Sequence, residues 1–266
     1  MEPRGTRRPG CCSYTRSVEA ARIFDELFTR ARETDEFEYA CALLRVRGME
    51  DVGWDPLEET AALFNDVASL LQTPLNDYAR IRLGLLLYSH LTEVDAIYLI
   101  LVNMVEITAG ERYTMDPFHD LYRPTGRPRF EQYPPSAKRV AERVKERAAA
   151  RGCDELVELL DWFFNDTVRN AFFHSNYVLF GDEFRSREGT FVGKDGVRSS
   201  SMKLEEIVDL INRGMTFYQA FVETYDKHRG SYTEEKQIRG RIGADGSEQD
   251  VTLMASPERG LYGFRG

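Results

Sequence analysis

The chain has 266 residues, enough to bury a sizeable core, and its 42% hydrophobic and 30% charged content excludes a disordered polypeptide. A formal net charge of −9 and a pI near 5.2 give a field that repels polyanions, so contact with nucleic acid requires a local basic patch. Four scattered cysteines (Cys11, Cys12, Cys41, Cys153) without a C-x-x-C pair, and four histidines far apart in sequence, supply neither a disulfide framework nor metal-ligand spacing. That pattern fits a reducing cytoplasm and implies no metal or other cofactor.

Residues 1–16 are rich in Pro, Gly and Arg and read as a flexible tail that lacks the apolar stretch of a secretory signal. From Ser17 to about Arg151 the pattern is mainly helical. Ile23, Leu27 and Ala31 recur on one face, and Leu57, Ala61, Phe64, Ala68 and Leu71 on another. Pro74 is placed to open a third helix with Thr73 as its N-cap, and a fourth runs from about Glu93 to Thr108. The uncharged runs Leu83–Thr92 and Ala96–Val105 are too short to span a bilayer; interrupted by Glu93 and Asp95, they read as buried helices with no membrane partner. On this pattern His90 is a core histidine.

Residues 111–135 form a long connection containing Pro124, Pro128, Pro134 and Pro135. The helix that follows, about 136–150, carries most of a local basic excess: nine Arg or Lys against three Glu between residues 121 and 151. Arg139, Arg143 and Arg147 are the candidates for steering RNA, and a solvated helix face is the other reading of the same charges. After a helix at about 154–175 come short strands at about 177–201, a long amphipathic helix from about Met202 to His228, a hairpin over 236–255 and a loose GLYGFRG tail.

The segment DTVRNAFFHSNYVLFG, residues 166–181, sets Arg169, Asn170 and His174 among aromatic residues. On a single helix from 154 to 175, Val157, Leu160, Phe164, Val168 and Ala171 make the core stripe. The other half mixes Asp166, Arg169, Asn170 and His174 with Leu159, Trp162, Phe163 and Phe173. Such a half is expected to be covered, by this chain or by a second copy, with the polar residues lining a cleft. Asp166, Asn170 and His174 follow i, i+4, i+8 spacing, and Asp166 is placed to set the rotamer of Arg169 at i+3. An imidazole moves protons near neutral pH and a guanidinium forks onto phosphate oxygens, which suits metal-free cleavage of RNA by its own 2′-hydroxyl.

RNAFFH, Arg169–His174, resembles the R-N-x-x-x-H form of the motif that marks the HEPN superfamily. The resemblance implies a mainly α, compact helical bundle, commonly dimeric. It also implies a metal-independent endoribonuclease of the toxin or defence type, with RNA as substrate and a protein antitoxin or regulatory partner in some members. It assigns the catalytic pair to Arg169 and His174, with Asn170 as the polar residue after the arginine; Asp166, from its i+3 spacing, and Tyr177 are supporting candidates read from this sequence. Members that pair with a nucleotidyltransferase carry a tyrosine two residues after the histidine; here Asn176 holds that position and Tyr177 follows. The implied organisation is a tail (1–16), a helical HEPN-like domain (17–230, core about 55–228, β insertion about 177–201) and a C-terminal hairpin and tail (231–266). A non-catalytic HEPN-like module that binds RNA, a nucleotide or a protein is the alternative.

Overall fold

The computed structural model describes residues 10–46, 55–124, 132–187, 190–192, 198–241 and 247–266; Arg127, Arg129 and Glu131 of the basic stretch and residues 1–9 of the tail lie outside these. The described chain is mainly helical. In order it forms α1 (Gly10–Thr34), α2 (Glu36–Leu44), α3 (Pro56–Leu71), α4 (Asp77–Leu91) and α5 (Asp95–Ile107), then the short pair β1 (Arg123–Pro124) and β2 (Gln132–Tyr133). Next come α6 (Ala137–Ala150), α7 (Asp154–Phe163) and α8 (Asp166–Phe173). The β insertion comprises β3 (Tyr177–Phe180), β4 (Glu183–Ser186), β5 (Phe191–Val192), β6 (Arg198–Ser199) and β7 (Ser201–Lys203). The long α9 (Leu204–Gly230) precedes β8 (Lys236–Gly240), β9 (Gln249–Ser256) and β10 (Gly260–Arg265). Strands β3, β4 and β7 form one antiparallel sheet, and β10, β9 and β8 another.

The main core joins α1, α2, α5, α6, α7 and α9. Ile23, Leu27 and Ala31 are buried as the spacing required, and Phe24 and Phe28 meet Phe217 and Phe221 edge-on. In α3 the buried face is Leu57, Thr60, Phe64 and Val67, so the two alanines of the expected stripe sit at its margin. Helix α5 is buried along nearly its whole length. No single described helix is long and apolar enough to cross a membrane; α4 and α5 reach that length only together, bent by 42° at their junction.

Three expectations about element boundaries are corrected. The N-terminal helix reaches back to Gly10, into the segment read as tail: beyond Pro9 no proline interrupts it, and Arg16 pairs with Glu19 one turn on. The third helix opens at Asp77 instead of Pro74, because Asn76, not Thr73, caps it by accepting from the Ala79 N–H. The GLYGFRG tail is a strand. Leu261 is fully buried, its carbonyl accepts from the Arg229 guanidinium, and Gly260 has φ +62° with the Arg229 carbonyl where a Cβ would stand.

A Tyr39–His228–Asp25 chain, buried at the tyrosine and the histidine, ties α2 and α1 to the end of α9. The Tyr39 hydroxyl lies 2.7 Å from His228 Nδ1, and His228 Nε2 lies 3.0 Å from an Asp25 carboxylate oxygen. The carboxylate accepts from Nε2–H, and burial, which favours the neutral ring, leaves Nδ1 to accept from the phenol. Burial holds the His228 pKa below its ordinary 6.5 and does the same for His90, while Lys227 holds Asp25 below the usual carboxylate range. The unfolded chain therefore takes up histidine protons at a higher pH than the folded one, so stability present above about pH 6.5 declines as the pH falls through that value. Urea unfolding at pH 7.5, 6.5 and 5.5 checks this, and His228→Gln is expected to flatten the dependence.

Candidate functional site

Residues 154–175 are two helices, not the expected one. Phe164 is extended and Asn165 caps α8, its side chain accepting from the Val168 N–H at 3.0 Å. The break is stabilised from α4. The buried Tyr88 hydroxyl donates to the Phe163 carbonyl (2.9 Å) and accepts from the Asn165 N–H (2.7 Å), replacing hydrogen bonds that a continuous helix would have made. Tyr88→Phe strands both backbone groups, and a loss of about 1–3 kcal/mol is expected from denaturant melts.

The break turns α8 so that Arg169 points into the protein, with its side chain only 9% exposed. Its Nη2 lies 3.0 Å from Glu93 at the α4–α5 turn and 3.8 Å from Asp166, while Nη1 donates to Asn170 Oδ1 at 2.7 Å. Nε is buried without a partner among the described residues. Asp166 also faces Lys138 of α6 at 3.8 Å. Glu93 is the member the sequence did not assign. Burial outweighs the attraction of Arg169 and raises its pKa above the ordinary carboxylate range. The signal in the sequence was a carboxylate stranded between two uncharged runs.

His174 is the C-cap of α8, with its N–H bonded to the Asn170 carbonyl and its side chain exposed. Its ring has no hydrogen-bond partner among the described residues, so one chain joins Arg169 to Asn170 and Asp166 but not to His174. Phe173, the preceding residue, is exposed, so the expected covering of this half is incomplete in the single chain, and Val178 and Phe180 are exposed as well. Strand β3, which carries the latter two, is an edge of its sheet. Tyr177 packs inward, stacked on Phe184 with ring centroids 5.1 Å apart.

The basic candidates on α6 are engaged within the chain. Arg139 donates to the Leu121 carbonyl, Arg143 pairs with Asp120 and Glu146, and Arg147 pairs with Glu106. Among the described residues no group of three or more His, Cys, Asp or Glu side chains converges as a metal site. No family profile, curated protein or solved structure matches this chain.

Proposed function

We propose that the chain is a HEPN-like, metal-independent endoribonuclease of the cytoplasm whose site is completed by a second copy. The observation that carries this reading is the R-N-x-x-x-H segment on one short helix, with a buried guanidinium held by Asn170 at one end and an accessible imidazole at the other. In the reaction the 2′-oxygen attacks phosphorus, the bond to the 5′-oxygen breaks, and the products end in a 2′,3′-cyclic phosphate and a 5′-hydroxyl. His174 transfers a proton to the leaving oxygen or from the attacking one, and the imidazole of the other copy serves the opposite role. Arg169 stabilises the charge gathering on the phosphate. To do so its Nη2 exchanges Glu93 for a phosphate oxygen. The exposed Phe173, next to His174 in the chain, and the exposed Val178 and Phe180 on the edge strand β3 favour pairing of two copies.

The test is incubation of the pure protein with end-labelled RNA in EDTA, with the termini identified. Cyclic phosphate ends are expected; intact RNA sinks the reading. The pairing of Arg169 with Glu93, and its separation from His174, favour a second reading in which the module grips RNA without cutting it. That reading predicts binding weakened by Arg169→Ala and indifferent to His174→Ala.

A further inference from the structure

A cavity of about 510 Å³ opens between α2, residues 112–115 of the segment after α5, and the C-terminal sheet, where Arg241 follows β8 and Phe264 lies on β10. Its walls are set by the fold. Phe37 of α2 meets Phe264 with ring centroids 5.8 Å apart and fills the space where a Cβ on Gly240 would stand. The Tyr113 hydroxyl donates to the Val46 carbonyl at 3.0 Å, which fixes a third ring of the lining. None of Asp166, Arg169, Asn170, His174 or Glu93 belongs to this cavity.

Glu38 is the unusual member of the lining. It is only 6% exposed, forms no ion pair among the described residues, and accepts one hydrogen bond, from the Tyr113 N–H to Oε2 at 2.9 Å. Its Oε1 has no hydrogen-bond partner among the described residues, although the side chain lines the cavity. Burial raises the Glu38 pKa above the ordinary carboxylate range, against the pull of the Tyr113 N–H and the nearby Arg241 and Arg112. A buried charge costs free energy unless it is paired, and one backbone N–H fills only part of what a carboxylate can accept. The free oxygen therefore calls for donors brought by a ligand.

The two guanidiniums of the lining decide which donors. Arg112 is exposed and makes no hydrogen bond or ion pair among the described residues, while Arg241 lies 3.3 Å from Asp35 and 3.5 Å from Glu248. Both repel a cationic ligand, and Glu38 disfavours a wholly apolar one. What fits is a flat molecule with neutral N–H donors at one end and negative charge at the other. We infer that this cavity binds a guanine mononucleotide, with the N1–H and N2–H edge of the base on the Glu38 carboxylate, the ring system against Phe37, Tyr113 and Phe264, and the phosphate at Arg112 and Arg241. The volume lies within the roughly 300–1,000 Å³ of small-molecule sites. Adenine offers an acceptor beside its donor on the same edge, so its lone pair would face the carboxylate. The inference concerns binding alone and shares no residue with the proposed RNA site, so either can fail without the other.

The experiment is calorimetric titration of GMP into the protein at about 150 mM NaCl. One saturable site is expected, with AMP bound about tenfold or more weakly. Glu38→Gln is expected to weaken GMP by about tenfold or more and to leave AMP no weaker, because the amide still accepts from the Tyr113 N–H but turns an NH₂ toward the base. Arg112→Ala, at an exposed position, keeps the fold and is expected to weaken GMP but not guanosine, which holds the test open should Glu38→Gln unfold. A pentaribonucleotide with one central guanine among adenines separates the sources of the base. Binding weaker than that of GMP supports the mononucleotide, and tighter binding assigns the cavity to RNA and overturns the inference. Binding that does not saturate, equal affinity for GMP and AMP, or GMP affinity indifferent to Arg112→Ala overturns it as well.

Discussion

His174→Ala is expected to retain the fold and to lose RNA cleavage by about 10²–10⁴-fold, the usual contribution of a positioned acid or base. Retention of the fold follows from geometry. The imidazole is exposed at the end of α8, and the only hydrogen bond His174 makes among the described residues is through its backbone N–H to Asn170, which alanine keeps. The effect should be confined to turnover: melting and RNA affinity near the wild-type values, with the limb of the pH–rate profile that reports an imidazole removed. Two further outcomes are informative. Partial recovery with free imidazole in solution supports direct proton transfer, whereas cleavage that persists at the wild-type rate places the reaction elsewhere and ends the role of His174. Mixing wild type with the His174→Ala chain tests the shared site. If each cleft draws an imidazole from both copies, activity falls more steeply than the fraction of variant.

What the sequence made legible was local. The burial of Ile23, Leu27 and Ala31, the buried α5, and the strands after the motif all follow from side-chain period and turn residues within one segment. What it hid came from partners far along the chain. The α7–α8 break depends on the Tyr88 hydroxyl, 75 residues before Phe163, and no periodicity within 154–175 encodes it. Asp166 was the natural partner for Arg169 at i+3, yet Glu93 from the α4–α5 turn is nearer, at 3.0 Å against 3.8 Å. The α6 charges were countable, but not the carboxylates that fold back to meet them, such as Asp120 on Arg143 and Glu106 on Arg147. The last strand escaped notice because its glycines read as loose chain, whereas the site on Arg229 requires one at Gly260. Glu93 and Asp95 were visible as charges breaking an apolar stretch. The meaning of Glu93 as a partner for Arg169 needed the third dimension.

The strongest discrimination comes from changing the two ends of the Arg169–Glu93 pair separately. Arg169→Met is expected to reduce cleavage by about 10²–10³-fold, the range for loss of one donor to a developing oxyanion. Its effect on stability should stay below the about 3–5 kcal/mol of a broken, fully buried pair, because Glu93 is 38% exposed and rehydrates once the guanidinium is gone. Glu93→Gln is expected to act with opposite signs on two measurements. Stability should fall by about 1–3 kcal/mol, since the amide accepts a hydrogen bond from Arg169 but no longer offsets its buried charge. RNA affinity should rise, because phosphate no longer competes with a carboxylate for Nη2. A double-mutant cycle on both quantities, melting and binding, separates the roles. If Arg169 serves the phosphate, removing Glu93 strengthens binding only while Arg169 is present. If the pair is only a bridge between α8 and the α4–α5 turn, both variants lower stability and RNA affinity together, and the assignment of Arg169 to the phosphodiester fails.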